Sequence, residues 1–221
     1  MNNKTKIKPS LKLLLERNEK FAKQYKQNAL MKLINSKEIT QKSKRIKLLD
    51  GIQVFSNYFQ KAIMLRHILC DDSRFYSVTH DHLTEEFNHN VSLLKDRNHR
   101  PPVWDAILEA TAAWFSWKML TLGEEEKTVL VHLVLEASAN IFFQAAHKVM
   151  MTYSETNYFE IHAKLDEEHE KMGRDLLKGL SSEKYKRLLE IQEQGWNMLN
   201  SVCERIAICT HSSLDCKSLL F

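Results

Sequence analysis

Apolar residues recur at helical spacing along most of the chain, in long stretches separated by short polar breaks. In the first stretch Leu11, Leu14 and Phe21 lie near one face of a helix that Ser10 can cap. No clear run of alternating β-branched residues indicates a strand. Only 5 of the 221 residues are Gly and 3 are Pro, which leaves little material for turns. The pattern therefore predicts an all-α protein of long helices with short connections.

Seven helices are expected, at approximately residues 11–34, 39–70, 73–96, 103–120, 124–152, 155–180 and 183–210. A kink or break is expected in the second at Gly51. The fifth is apolar nearly all round over residues 129–143, which is typical of a central, buried helix. We expect a single domain over residues 10–210, between a flexible basic segment (1–9) and a C-terminal tail (211–221).

Charge is unevenly distributed along the sequence. Residues 1–50 contain 14 Lys and Arg against 4 Asp and Glu, whereas the remainder is acidic overall. A basic segment can bind nucleic acid or an anionic membrane. Here the basic residues are scattered, and the aromatic–basic interleaving of nucleic-acid modules is absent. We therefore expect no nucleic-acid partner and interpret the basic residues as a solvated face.

The cysteine spacing and the lengths of the apolar runs indicate where in the cell the protein is expected. No two cysteines have the CxxC spacing of a zinc knuckle or a thioredoxin-type motif; they are Cys70, Cys203, Cys209 and Cys216. The charged N-terminus lacks the apolar core of a signal peptide. No apolar run approaches the roughly 20 residues that span a bilayer. These features predict a cytoplasmic protein with free thiols and no membrane span.

The most distinctive polar pattern is YFEIHAKLDEEHEKMG, residues 158–173. His162, Asp166 and His169 are spaced at i, i+4 and i+7, so they share one narrow stripe of a helix. Two imidazoles and a carboxylate on one stripe can reach a single point, as ligands of non-haem iron or zinc do. The alternative is a charged, solvated helix that happens to carry two histidines.

Glu136 is a carboxylate within the apolar fifth helix. Burial of an unpaired carboxylate is costly, so this residue needs a metal ion, a Lys or Arg partner, or a raised pKa. A metal ion is one solution, and a buried ion pair is the alternative. His132, one turn earlier, could support the site as a hydrogen-bond donor to a ligand or as an alternate ligand, or it could be an ordinary histidine.

The third predicted helix supplies Glu86 and His89. This Glu-x-x-His pair has the i, i+3 spacing with which helical di-iron proteins direct two ligands inward. Glu85 could replace Glu86, and His82 lies on the same stripe as His89. For this pair alone, a solvated helix face remains an alternative.

Taken together, three predicted helices present one set of three carboxylates and three imidazoles. The predicted ligands are Glu86, His89, Glu136, His162, Asp166 and His169. Three carboxylates offset most of the charge of two ferrous ions, and mixed oxygen and nitrogen ligation suits iron or manganese. A structural zinc site would use fewer ligands, usually including thiolates.

With these residues the chain resembles the haem-oxygenase-like non-haem di-iron oxidases and oxygenases. The resemblance extends from about residue 28 to 180 and is most specific at His162-x-x-x-Asp166-x-x-His169. It implies a seven-helix bundle of the haem oxygenase-like (TenA-like) type, with two Fe(II) ions (or manganese) and O₂ as co-substrate. It also implies a homodimer that oxidises a small organic substrate by decarboxylation, N-oxygenation or a related reaction. Its members include fatty-acid decarboxylases, N-oxygenases and the chlamydial death-domain-associating protein.

Two other functions remain open. A helical protein-interaction module could retain the same residues as a vestigial or structural metal site. A TenA-type thiaminase would need a cysteine nucleophile in the bundle core; none lies between Cys70 and Cys203, although Cys203 with Glu204 is a candidate. A haem oxygenase needs a histidine on its first helix, whereas the first histidine here is His67.

Overall fold

Side-chain caps explain where several helices begin. The computed structural model describes residues 8–153, 158–162, 169 and 171–212. Ser10 and Ser181, for example, each accept a hydrogen bond from the first turn of the helix that follows. The helices of this part of the chain are α1 (Leu11–Tyr25), α2 (Ala29–Ile34), α3 (Lys42–Ile68), α4 (Ser73–Glu86), α5 (His89–Asp96), α6 (Ala106–Met119), α7 (Glu124–Tyr153) and α8 (Ser182–His211).

The all-α prediction is confirmed, since no strand occurs among the described residues. These eight helices form one domain. The predicted division into seven helices is wrong within the described residues, because the first and the third expected helices are each divided in two, while the eight helices named above do not include the helical residues 158–162. The first divides before Asn28, whose side chain caps α2. The third divides at Asn88, which adopts the left-handed backbone conformation (φ 69°) that asparagine tolerates better than most residues. Consequently Glu86 ends α4 and His89 begins α5.

Other boundaries also differ from the predictions. Helix α3 passes through Gly51 without a break. Helix α6 begins only at Ala106, because the Asp105 carboxylate accepts a hydrogen bond from the backbone of its first turn. In the predicted sixth helix, residues 158–162 and 169 are helical, but a 3₁₀ turn at Arg174–Leu177 follows Gly173, whose φ is 71°. The expected helix therefore ends well before residue 180.

Helix α7 is the central element of the bundle. Its segment Val129–Glu136 is a π-helix in which every residue is buried. Helix α8 crosses this segment at Gly195, where a Cβ atom would lie only 2.6 Å from Leu130 Cδ1. By length and composition α7 could cross a membrane, which the residue pattern did not predict, but 72% of its most apolar window is buried inside the bundle. Core helices of this kind are apolar all round.

Candidate metal centre

Six His and Glu side chains meet in the bundle interior, around the end of α4 and the π-helical segment of α7. They are His82, Glu86, His89, Glu136, His162 and His169. All are buried except His89, whose side chain is 14% exposed. They form two groups in which the potential ligand atoms lie within 4.8 Å of one another. We name them the inner group (His82, Glu86, Glu136, His169) and the cavity group (Glu86, His89, His162).

The inner group alternates carboxylate oxygens and imidazole nitrogens. His82 Nε2 lies 2.9 Å from Glu136 Oε1. His169 Nδ1 lies 3.2 Å from Glu86 Oε1 and 3.6 Å from Glu136 Oε2. His82 Nδ1 is buried and has no hydrogen-bond partner among the described residues. Two carboxylates therefore converge at a point where the described side chains that face them in this group are imidazoles.

The cavity group is arranged around the second oxygen of the shared glutamate. His89 Nδ1 lies 3.0 Å from Glu86 Oε2, and His162 Nε2 lies 3.9 Å from the same oxygen. The ring of Phe143 stacks on His162, with the ring centroids 4.3 Å apart. Glu86 thus presents one oxygen to each group, as a carboxylate that bridges two metal ions does.

Hydrogen bonds on the far side of two imidazoles fix their orientation. His169 Nε2 lies 2.6 Å from Glu85 Oε2, while its Nδ1 faces the inner group. His162 Nδ1 donates to the Tyr158 carbonyl over 2.8 Å, which leaves Nε2 directed at Glu86. Metal-binding histidines characteristically donate their second N–H to a carboxylate or a carbonyl in this way.

His132 lies behind the inner group. Its Nδ1 is 2.8 Å from the backbone oxygen of His169, and its Nε2 is 2.8 Å from Nη1 of Arg66. Burial, reinforced by the charge of Arg66, holds the pKa of His132 well below its ordinary value. Because both ring nitrogens are hydrogen-bonded, His132 supports a predicted ligand and is not available as one itself.

The electrostatics of the cluster favour a cation between its carboxylates. Burial alone raises the pKa of Glu86 and Glu136, but hydrogen bonds and charges from the surrounding histidines lower both below the ordinary value. Burial disfavours protonation of His169, yet the two carboxylates raise its pKa to about 11. The pKa of His162 is lowered, chiefly by burial. A positive charge at this position, whether an imidazolium or a metal ion, stabilises the buried carboxylates.

Five of the six predicted ligands lie in the cluster, and the alternates differ in whether they join it. Glu86, His89, Glu136, His162 and His169 all belong to the cluster, whereas Asp166 lies outside the described residues. Among the alternates, the buried side chain of His82 joins the inner group. Glu85 is 49% exposed at its side chain, and within the described chain it contacts the cluster through His169.

Glu86 and His89 do contact each other, but the prediction that they lie on one helix is wrong. An i, i+3 pair on one helix was expected, but the chain turns at Asn88 between them. The turn brings His89 Nδ1 to Glu86 from the start of a second helix. Because the left-handed residue is asparagine and not glycine, the pattern gave only a weak signal for this turn.

Two supporting features were missed from the sequence. Glu136 ends the π-helical segment, a rare geometry that often occurs at functional sites and has no clear residue signature. Arg66 is completely buried on α3. Its position within a helix rich in apolar residues is the signal that could have identified it, since buried arginines require polar partners.

An apolar cavity of about 70 Å³ adjoins the cluster. Glu86, Glu136 and His162 form its polar end. Lys and Arg are absent from the described lining, whose other members are Tyr25, Leu30, Ile52, Phe55, Ser56, Phe59, Leu135, Ser138, Ala139, Phe142, Phe143, Tyr158, Leu199, Val202, Cys203 and Ile206. A volume of this size accommodates several water molecules or a small apolar group.

Comparison with known proteins identifies one informative relative. "Uncharacterized protein RP592" of Rickettsia prowazekii (strain Madrid E) is 36% identical over 198 residues, which cover 90% of this chain and 95% of that protein. The chain belongs to the RP592 family. No model of a known protein family matches it. The description of RP592 states no activity, so membership of the RP592 family does not assign a function.

Proposed function

We propose that the chain is a non-haem di-metal oxidase or oxygenase that oxidises a small organic substrate. In this proposal the two groups bind two Fe(II) ions, with manganese as the alternative metal, and O₂ is the co-substrate. The proposal includes assignment of the bundle to the haem oxygenase-like (TenA-like) type. One observation carries it: Glu86 is shared by two adjacent ligand groups, and the second of these opens onto an apolar cavity.

The chemistry of the donors fits these metals. The cluster offers four imidazoles and two carboxylates, a mixed nitrogen and oxygen set that suits iron or manganese. Within the part of the chain that the structure describes, neither Glu86 nor Glu136 has a Lys or Arg partner in an ion pair. The alternative explanation of Glu136 as half of an ion pair with a basic residue is therefore not supported.

The protein's own contribution is positioning and exclusion of water. Glu85 and the Tyr158 carbonyl orient His169 and His162, and Phe143 holds the face of the His162 ring. Such outer contacts fix ligand geometry before a metal binds. When bound, the two ions would supply the redox chemistry with O₂ that amino-acid side chains lack.

The cavity favours an apolar substrate. Its described wall is built almost wholly from aliphatic and aromatic side chains and contains no Lys or Arg. An anionic group on the substrate would therefore meet its strongest positive partner at the metal ions. The group to be oxidised should lie at the end formed by Glu86 and His162, with the apolar remainder against residues such as Phe142.

The thiaminase alternative is weakened by the environment of its candidate nucleophile. Cys203 does line the cavity, but burial raises the pKa of its thiol to about 12. Its Sγ lies 3.6 Å from the hydroxyl of Tyr25. The thiolate is the nucleophilic form of cysteine, and it is scarcely populated at this pKa at neutral pH. Glu204, the suggested partner, is exposed.

Metal content and O₂ uptake test the proposal. We expect protein from iron-supplemented cells to contain about two Fe or Mn per chain, and the ferrous form to consume O₂ faster than the same concentration of free Fe(II). His162→Ala should lose at least half of the metal. His80→Ala is the matched control, because His80 lies on α4 but is exposed and outside the cluster.

Two results would contradict the proposal. One is less than one metal ion per chain in the wild type with no further loss in His162→Ala, which would favour a protein-interaction module with a vestigial site. The other is a fully loaded ferrous protein that consumes O₂ no faster than free Fe(II), which would indicate a structural metal site.

A further inference from the structure

We infer that Arg66 is a positioning residue of the metal centre, acting through His132 on His169. The inference rests on the proposed function for its metal-dependent part. It assigns two roles to one side chain: Arg66 holds the His132 ring through a hydrogen bond to Nε2, so that Nδ1 stays directed at the His169 backbone, and it places a permanent positive charge beside the inner group.

The tautomer follows from the hydrogen-bond partners alone. A guanidinium can only donate, so His132 Nε2, 2.8 Å from Arg66 Nη1, must accept. A backbone carbonyl can only accept, so His132 Nδ1, 2.8 Å from the His169 oxygen, must donate. His132 is therefore neutral with its hydrogen on Nδ1. Both partners favour the same tautomer, and Arg66 adds the hydrogen bond that holds Nε2, so without Arg66 the ring is held only by the His169 carbonyl among these contacts.

Arg66 also differs from the other completely buried arginine. Arg97 forms an ordinary ion pair, with Asp50 Oδ1 2.8 Å from its Nη2 and 3.0 Å from its Nε. Arg66, 1% exposed, instead contacts His132 and, at 3.3 Å, the hydroxyl of Thr128, and among the described residues no carboxylate lies within ion-pair distance of it. Burial of a cation against neutral partners is costly. The arrangement is explained if the charge acts on the site beyond His132.

The expected electrostatic consequence has a definite sign. The positive charge of Arg66 opposes accumulation of further positive charge at the inner group. It therefore favours ferrous over ferric iron there and raises the reduction potential. Loss of this charge should lower the potential, whereas a lysine at the same position should retain most of the effect.

The first experiment reads the tautomer in metal-free protein by ¹⁵N NMR of labelled histidines. We expect wild-type His132 to carry its hydrogen on Nδ1 and to accept a hydrogen bond at Nε2. Arg66→Met should move the Nε2 resonance away from its wild-type, hydrogen-bonded position, and Arg66→Lys should restore it. Arg97→Met is the matched control, since it removes an equally buried arginine without contact to His132, and should leave the Nε2 resonance unchanged. A wild-type His132 with its hydrogen on Nε2, or an unchanged Nε2 resonance in Arg66→Met, would overturn the inference.

The second experiment measures the reduction potential of the iron-loaded protein by anaerobic spectroelectrochemistry. Arg66→Met should lower the ferrous-to-ferric ratio at a fixed potential at least tenfold. This change corresponds to a fall of about 59 mV in the reduction potential of a one-electron couple. Arg97→Met and Arg66→Lys should remain close to the wild type. An unchanged potential in Arg66→Met, or an equal shift in Arg97→Met, would refute the electrostatic role.

The two arms separate failure of this inference from failure of the proposed function. If the wild type binds no iron, the proposed function fails, but the ¹⁵N spectra of the metal-free variants still decide whether Arg66 positions His132. If Arg66→Met does not fold, the wild type and Arg66→Lys remain decisive: His132 must carry its hydrogen on Nδ1 with a hydrogen-bonded Nε2, and the ferrous-to-ferric ratio of Arg66→Lys at a fixed potential must stay within tenfold of the wild type.

Discussion

The inner and cavity groups share Glu86 but differ in what surrounds them. The inner group borders the cavity through its two carboxylates, whereas its two histidines are not among the described lining residues, and polar contacts from Glu85 and His132 support it from outside. The cavity group is bounded by aromatic rings and the Tyr158 carbonyl, and His162 faces the apolar cavity directly. The difference indicates a division of labour: the inner group should bind its ion tightly, whereas the ion of the cavity group should exchange more readily and meet the substrate.

Substitution of the shared residue should have the largest effect. Glu86→Gln removes a charged ligand from both groups, so we expect the affinity for both ions to fall by more than about 100-fold, beyond the range for outer contacts. Titration of metal-free protein with Fe(II) under anaerobic conditions measures this loss. Glu109→Gln, which alters a partly buried glutamate on α6 outside the cluster, should bind as the wild type does. Retention of one full-affinity site in Glu86→Gln would show that Glu86 is not shared.

Two histidine substitutions should separate the groups. His82→Ala affects only the inner group and His89→Ala only the cavity group. We expect His89→Ala to keep one tightly bound ion, and His82→Ala to lose the tight site and retain only weaker binding. The same titration resolves the two sites. Identical loss in both variants would mean that the cluster binds metal as one unit.

Loss of an outer contact should have a smaller effect. Glu85→Ala removes the carboxylate that orients His169, so the affinity of the inner group should fall about 10- to 100-fold while the cavity group is unchanged. Asp81→Ala, an exposed change on the same helix, is the control. If Glu85→Ala matched Glu86→Gln, Glu85 would be a ligand and its place in the cluster would have to be reassigned.

Most residues of the buried cluster could be found from the sequence because burial restricts where charged residues occur. Glu136 was identified by its position in an apolar helix, and His162 and His169 by their common stripe. Their supporting residues could not be found in this way. Glu85 and Glu86 are neighbours in the sequence, so spacing alone does not show which of them points into the cluster. The turn at Asn88, which sets the direction of the chain after both, depends on tertiary packing. The sequence likewise gives no sign of the π-helical segment, because its widened backbone depends on the contacts around it.

The close crossing at Gly195 should matter for stability more than for metal binding. A methyl group there would meet Leu130 on the π-helical segment, so Gly195→Ala should lower the free energy of unfolding by about 1–3 kcal/mol. The affinity of the inner group should fall by a smaller factor than in Glu85→Ala, because Glu136 is displaced only indirectly. Urea unfolding and Fe(II) titration provide the two measurements, with Ser201→Ala, an exposed change on α8, as the control. Unchanged stability would show that the crossing is not tight.

A distant ion pair should affect stability without affecting the metal. Burial raises the pKa of Asp105, but its hydrogen bonds from Arg205 and the α6 backbone lower it overall. Its stabilising contribution is therefore complete above the ordinary value of 3.8 and is lost as pH falls through the lowered pKa. Asp105→Asn keeps a side chain that can cap α6 but removes the negative charge that pairs with Arg205. The free energy of unfolding should therefore fall by about 1–3 kcal/mol near neutral pH, and by progressively less under acid. Urea unfolding at several pH values measures this; a pH-independent cost would contradict it.

Anomalous diffraction at the iron edge, from crystals grown with Fe(II) without air, would locate the two proposed ions. We expect two iron peaks per chain, one in the inner group and one in the cavity group, with a carboxylate oxygen of Glu86 directed at each. A single peak, or peaks away from these residues, would show that two ions do not share Glu86.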